Sequence, residues 1–516
     1  MSVRASSATI TPSDIRADLN PRRRSRDRDV LAKGQLVDVL VIGGGVTGAG
    51  VALDAASRGM SVALVERHDL AFGTSRWSSK LVHGGLRYLI TGNAALAWES
   101  AVERAYLMRV IAPHLVHPLT GLVPHMREDS RRDSFITRLG LGAGDLLALG
   151  ARTGGLLPRH HQVNAEEAAR LAPALDRSRL VSGTVSFDGQ LEDDARLVVA
   201  IARSAAAHGA RILTRVGALE VGAGGAVVED TLEPGRFEIR AKHVINATGV
   251  WADTLDPSVT LQPSRGTHVV LRASTLGFPQ ASMIVPVPGH MGRFVFAIPQ
   301  PDGLVYCGLT DVVEEARPLP DEPVATAAEI DWILEVISSV LAAPVTAADA
   351  VGSFAGLRPL VAPDDGGAGA TSDISRKHLI RKTGDSLITV TGGKLTTYRR
   401  MAQDVVDLIT PVPCRTHELP LVGAGNSVIE SVPRLQRRFG TEAGRVAAYA
   451  EDRPELLEPL APGIAVLGVE IVHAVRSEGA NDLDDILARR TRLSLVPDDL
   501  AAATPRAAEI LASIER

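Results

Sequence analysis

The chain has 516 residues, 45% of them hydrophobic, enough apolar material for a large core shared among two or three structural units. A formal net charge of -5 and an aromatic content of 3% exclude a general electrostatic or base-stacking basis for nucleic-acid binding. The two cysteines, Cys307 and Cys414, exclude a disulfide framework and an iron–sulfur cluster held by four cysteines of this chain; no CxxC or zinc spacing predicts a metal site.

Residues 1–32 are polar and rich in Ser, Arg and Asp, without the apolar core of a signal peptide, and predict a disordered N-terminal arm. Its arginines, Arg22, Arg23, Arg24 and Arg26, read as solvated rather than lipid-bound because Asp27 and Asp29 interrupt them. The apolar run 39–42 then leads into Gly43-Gly44-Gly45-Val46-Thr47-Gly48, and a second apolar run, 62–65, closes on Glu66. This is a strand, a glycine turn, a helix and a strand. Gly43, Gly45 and Gly48 permit a tight turn, close backbone approach to a pyrophosphate and helix–strand packing, and Glu66 is placed to bond a ribose hydroxyl, so the unit predicts binding of FAD or NAD. The following segment, 74–89, reads TSRWSSKLVHGGLRYL; its Lys80, His83, Arg87 and Tyr88 are not needed to hold a dinucleotide.

Residues 94–111 have helical apolar spacing, and 140–157 is a Gly/Leu-rich helix joined to a loop. Asp193 and Asp194 open a helix to about His208, with acids in the first turn as the macrodipole favours. Strands at 211–216, 226–229 and 237–240 form a meander, and 243–247 returns the chain to the dinucleotide sheet before the turn at Thr248-Gly249. Strands at 268–271, 283–287, 294–298 and 304–309 predict a substrate domain on an antiparallel or mixed sheet, followed by a helix over 327–341 with Thr326 and Glu329 as its capping box. A strand at 388–390 enters TGGKLTTY, which starts a helix to about Ile409. In that helix Tyr398, Met401, Ala402, Val405, Leu408 and Ile409 form a stripe that favours core packing over membrane contact. No apolar stretch approaches the ~20 residues of a transmembrane helix.

The predicted fold class is α/β: a Rossmann-type FAD-binding domain with an inserted sheet-based substrate domain and a C-terminal helical domain. The oxidoreductase region spans 33–415. Its FAD-binding segments lie at about 36–110, 185–255 and 350–410, its substrate-domain segments mainly at 110–185 and 256–350, and the helical domain spans 416–516. The second glycine turn, Gly392-Gly393-Lys394, favours FAD over NAD, because a helix starting there aims N–H groups at the flavin edge where charge accumulates on reduction. Arg87, Arg358 and Arg376 have the planar fork suited to phosphate, although any one of them taken alone reads as a surface or ion-pair residue instead, and spacing does not bring them together. His83 and His268 are candidates for proton handling; His68, His114, His117, His125, His160 and His161 read as structural.

Taken jointly, VIGGGVTGAGVALDAASRG, SSKLVHGGLRYL, DDARL, NATGVWAD, RGTHVV, GLTD, GLRPL and TGGKLTTYR resemble the FAD-dependent, respiratory glycerol-3-phosphate dehydrogenases over residues 36–410, and the tail DLDDILARRTRLSL resembles that family's helical C-terminal domain. The resemblance implies oxidation of sn-glycerol 3-phosphate to dihydroxyacetone phosphate by hydride transfer to FAD, with electrons passed to a membrane quinone. It also implies a cytoplasmic protein, peripheral at the inner face of the cytoplasmic membrane, without nucleic acid, with room for a homodimer. On that template the cofactor contacts are Gly43, Gly45, Gly48, Glu66, Thr74, Ser75, Ser79, Lys80, Leu81, His83, Gly249, Gly392, Gly393, Lys394, Leu395 and Thr396. Arg87, Tyr88, Arg358, Arg376 and Lys394 line the substrate site, with Arg358 and Arg376 as the phosphate clamp. His268 accepts the hydroxyl proton, a role Arg358 or Lys394 could share.

The chain departs from the family pattern at Arg76-Trp77, where small residues are expected, at Val250, where proline is expected, and in the acidic run ending at Glu192. A glycerol-3-phosphate oxidase using oxygen, an amine or amino-acid oxidase of the same fold, an anaerobic dehydrogenase subunit without its cysteine-rich extension, and a flavin sensor without turnover are the alternatives.

Overall fold

The strands Val37–Ile42 and Val62–Glu66 are almost wholly buried and apolar, as parallel strands covered on both faces must be. They pair in parallel with Val39 opposite Val62, and the sheet runs in the order His378–Thr383, Leu387–Gly392, Gly235–Asn246, Val37–Ile42, Val62–Glu66, Arg211–Thr214. Only the first of these is antiparallel to its neighbour. The helices Val46–Ser57, Asp194–Ala207 and Tyr398–Val406 share one core on this sheet. The computed structural model describes residues 15–84, 94–128, 155–222, 224–290, 293–362, 377–425 and 432–514.

A second sheet, of ten strands, runs Val312–Val313, Ser264–Arg272, Leu304–Gly308, Phe294–Pro299, Ser282–Pro286, Val116–Met126, Leu180–Leu191, Leu81–Val82, with Ala350–Arg358 and His161–Asn164 attached. The helix Ala327–Ser338 covers it, started by the expected capping box of Thr326 and Glu329. A third core, from Leu435 to Ile514, belongs to the C-terminal helices. The mixed α/β class is therefore as the sequence predicts. Two predicted strands, 237–240 and 243–247, are one continuous strand, Gly235–Asn246, whose first half pairs with the meander and whose second half enters the parallel sheet. Most of the Gly/Leu-rich segment 140–157 lies outside the described residues. The apolar stripe of the helix after TGGK faces the core, with Tyr398, Met401, Ala402 and Val405 buried. No helix among the described residues is long and apolar enough to cross a membrane.

The expectation of a disordered arm is corrected over residues 15–32. Pro21–Ala32 is a helix, with proline at its first position and Asn20 Oδ1 accepting from Arg23 N at 2.9 Å. Arg22 and Arg26 are exposed, as expected, but two of the run are not solvated: Arg24 donates to buried Asp230 at 2.7 Å and Arg23 to the carbonyls of Ala206 and Ala210, while Arg28 meets the same Asp230 carboxylate at 3.0 Å. Just before it, Leu19 exchanges backbone hydrogen bonds with Ser477 and Gly479, and Asp18 accepts both Nη atoms of Arg445. The segment straps the parallel sheet to the C-terminal helices. Arg24→Leu should cost about 1–3 kcal/mol, since Asp230 keeps Arg28 but loses its shortest charge-assisted bond; urea unfolding of the variant against the parent checks this.

Candidate active site

The carboxyl ends of the parallel strands open into a cavity of about 1790 Å³, where open α/β sheets place their ligands. The turn after Ile42 forms the near wall. Gly43 has φ +110°, and a Cβ there would sit 2.6 Å from the Ala247 carbonyl oxygen. A Cβ on Gly48 would overlap the Gly43 carbonyl, so this glycine lets the helix rest directly on the turn without itself lining the cavity. Val46 N–H, in the helix's first turn, donates to Ser75 Oγ at 2.9 Å. Glu66 accepts from Gly44 N at 2.6 Å and His68 N at 2.8 Å; burial raises its carboxyl above the ordinary value, opposed by those two N–H groups. Gly45, Glu66, Thr74, Ser75 and Gly249 line this end.

The far wall is a face of the second sheet on which glycines make room for large side chains. Arg358, at the end of its strand, lies across Gly266, where any Cβ would collide with its guanidinium. It donates to Ser264 Oγ at 3.2 Å and to the Thr310 carbonyl at 3.0 Å, with Asp311 at 3.5 Å. His268 lies over Gly308, stacks on Phe354 with ring centres 4.6 Å apart, and shares a 2.8 Å hydrogen bond between its Nε2 and Ser79 Oγ. Burial, aided by the positive charges of Lys80 and Arg358, holds its imidazole well below the ordinary value. Trp77 occupies the space over Gly356.

Between the walls, Gly392 and Gly393 have φ of +79° and +70°, and Lys394 Nζ donates to Ser100 Oγ at 2.7 Å. The helix does not begin at these glycines: a single 3-10 turn, Leu395–Thr397, intervenes before Tyr398–Val406. Arg358, His268, Lys394, Ser79, Leu81, His83, Gly392, Gly393, Leu395 and Thr396 all border the same cavity. Lys80 does not. It has φ +59° and is buried, with Nζ on Asp194 at 2.8 Å and on the carbonyls of Arg76 and Ser78; burial lowers its ammonium to about 8. Arg87, Tyr88 and Arg376 lie outside the described residues.

Three groups escaped the sequence reading. Asp188 reaches the cavity wall, accepting from Arg104 Nη1 at 2.5 Å and Gly84 N at 3.0 Å. Ser100 meets Lys394, and Asp194 also holds Ser78 through its N–H and hydroxyl. Only Asp194 had a signal, as an acid in the first turn of a helix, and that signal concerns the helix rather than a partner more than 110 residues away.

Residues 38–399 match the FAD dependent oxidoreductase family, and residues 414–514 match the C-terminal domain of alpha-glycerophosphate oxidase. Glycerol-3-phosphate dehydrogenase 1 of Mycobacterium tuberculosis is 48% identical, covering 96% of this chain and 98% of its own. Glycerol-3-phosphate dehydrogenase 2 of the same organism is 37% identical, covering 93% and 84%. The solved glycerol-3-phosphate dehydrogenase from Bacillus halodurans complexed with FAD superposes with a TM-score of 0.73 at 27% identity, covering 96% and 94%. The chain belongs to the FAD-dependent oxidoreductases and, within them, to the glycerol-3-phosphate dehydrogenase family.

The residues present fit FAD. The Gly43 turn admits no side chain, a carboxylate closes the second strand, and the cavity exceeds the ~300–1,000 Å³ of ordinary ligand sites, leaving space for a small substrate beside the cofactor. Ser75→Ala, which removes the acceptor for Val46 N–H in the helix's first turn, should cost about 0.5–2 kcal/mol of stability; urea unfolding of the variant against the parent measures it.

Proposed function

We propose that this protein oxidises the secondary hydroxyl of sn-glycerol 3-phosphate, giving dihydroxyacetone phosphate, and passes the electrons to a membrane quinone. The observation that carries the reading is the convergence of Arg358, Lys394 and His268, from three distant segments, on the cavity bordered by the Gly43 turn. FAD supplies the two-electron acceptor for the hydride leaving C2.

The chain's own residues bind, orient and deprotonate. Arg358 offers a permanently charged fork, anchored through Ser264 and Thr310, to the phosphate of the substrate. Arg376 is the second arm of the clamp, and Arg87 and Tyr88 complete the substrate contacts, on the strength of the family motifs. Lys394 places a second cation near the hydroxyl end, where alkoxide character develops. His268 takes the hydroxyl proton on Nε2 by way of Ser79, whose Oγ borders the cavity and gives its own proton to that nitrogen as it receives the substrate's. A base must be neutral, and burial beside Lys80 and Arg358 keeps this imidazole so.

The quinone assignment draws on the dehydrogenase motifs and on an apolar stretch of cavity wall at Ile284, Val285, Phe294 and Phe296, suited to a lipophilic acceptor. The match of the C-terminal region to an oxidase domain favours a second reading, with oxygen as acceptor. Anaerobic mixing with glycerol 3-phosphate should bleach the flavin absorbance, and a soluble quinone analogue should restore it. Stoichiometric peroxide in air with no response to the quinone analogue would establish the oxidase instead.

Arg358→Ala should cost about 1.5–3 kcal/mol of substrate affinity, a rise in KM of about 10- to 150-fold, with FAD still bound; steady-state kinetics at saturating acceptor measures it. The pH dependence follows from His268. Its lowered pKa keeps the neutral base present as pH falls, and it is lost only below that pKa. The acid limb of kcat/KM should therefore lie below the ordinary histidine value of 6.5 and vanish in His268→Gln.

A further inference from the structure

The Arg76-Trp77 pair sits at the centre of an unbroken run of contacts between the C-terminal domain and His268. Arg489 lies over the Phe72 ring at 5.6 Å, Arg76 over the same ring at 5.0 Å and over Trp77 at 4.2 Å, and Arg492 over Trp77 at 5.1 Å. Trp77 stacks on Phe354 at 5.8 Å, and Phe354 stacks on His268 at 4.6 Å. Guanidinium groups and aromatic rings alternate as far as Trp77, and rings alone continue to the histidine.

Side-chain and backbone bonds hold the same run from behind. Asp69, fully buried, accepts from Arg489 Nε at 2.7 Å and from Arg490 at 2.7 and 2.8 Å. Arg492 donates to the Arg76 carbonyl at 2.5 Å and to the Ala488 carbonyl at 2.9 Å. Arg76 donates to the Phe72 carbonyl at 2.7 Å and to Glu322, and Arg489 also meets Asp484 and Asp485. Arg76, Arg489 and Arg490 are 0–1% exposed and Arg492 is 7% exposed. Several guanidinium groups buried so close together repel one another and are costly to desolvate, so the arrangement persists only because each has a fixed partner.

The segment so gripped, residues 67–80, is the one that presents Ser75 to Val46 and Ser79 to His268. We propose that Arg489, Arg490 and Arg492 of the C-terminal domain are positioning residues for the active site, setting the Arg76-Trp77 loop so that Ser79 and Phe354 fix the His268 ring. This rests on the reading of His268 as the base, and extends it by making the C-terminal domain part of the catalytic apparatus.

The test compares Arg492→Leu with Arg445→Leu in the full-length FAD-loaded protein. Arg445 pairs with Asp18 in the N-terminal strap, another interdomain ion pair, and does not touch the 67–80 segment. Arg492→Leu should lower kcat for glycerol 3-phosphate at least tenfold, leave KM within twofold, and speed amide exchange across residues 67–80. Arg445→Leu should lower Tm while changing neither kcat nor that exchange. Arg492→Lys, which keeps the charge but not the fork bonding two carbonyls, should show an intermediate loss and serves if the leucine variant does not fold. The proposal is overturned if the Arg492 variants keep kcat and exchange within twofold of the parent, or if Arg445→Leu reproduces their losses. Should glycerol 3-phosphate fail to reduce the parent protein, the substrate reading falls, while the exchange contrast still decides the positioning role.

Discussion

Everything functional in this molecule depends on one close backbone approach, that of the Gly43 turn to Ala247 and Thr248. It joins the end of the first strand to the end of the long strand Gly235–Asn246, which is hydrogen-bonded beside it in parallel. Because both strands end together, the first helix and the small-residue turn at Thr248-Gly249 border one cavity rather than two clefts. A side chain at position 43 would drive these ends apart, and the loops that carry Ser75, Ser79 and Lys394 would no longer face one another.

The second sheet solves a complementary problem. A flat sheet face crowded with β-branched residues has no depth for a histidine, an arginine and a tryptophan lying side by side. Gly266, Gly308 and Gly356 provide that depth, one beneath each large side chain. The consequence is electrostatic as well as steric. Arg358 lies along the sheet, bonded to a hydroxyl and a carbonyl, and its charge reaches His268 without a carboxylate bound to the imidazole. Burial and two neighbouring cations then act in the same direction, keeping the histidine neutral.

The local parts of this arrangement were legible in the sequence, because their physics is local. The glycine turn, Glu66, the Thr326–Glu329 capping box and the strands Ser264–Arg272, Ser282–Pro286, Phe294–Pro299 and Leu304–Gly308 of the second sheet all follow from spacings of a few residues. The strand Val116–Met126 escaped notice because Pro118 and Pro124 and the histidines between Val116 and Met126 break the alternation expected of a strand. Arg23 and Arg24 of the N-terminal run were misread for a different reason, while Arg22 and Arg26 are exposed as expected. A run of Arg interrupted by Asp looks solvated, and the carboxylate that buries Arg24 lies 206 residues away. Lys80 is the same case: its motif marks it as important, but its partner Asp194 shows that it holds the loop from behind the cavity wall. Sequence reports which residue types are present; charge pairing across the chain decides which way each one points.

That distinction bears on how the two family regions relate. The boundary between residues 38–399 and 414–514 suggests two modules, each with its own core. Yet their interface is unlike a loose, polar domain contact. Arg196 meets Glu478, Arg203 meets Glu442, and Arg438 meets Asp193, all buried, beside the arginine cluster on Asp69. Removing one partner from any of these pairs would strand a charge in a dry interior, which is far more costly than losing a surface pair. The interface therefore has a single satisfactory register. Asp193, which meets Arg438 across it, is also the N-cap of the helix whose first residue, Asp194, holds Lys80. The interface thus reaches the loop behind His268 through covalent neighbours, and the helical domain cannot shift without moving the residues that shape the site.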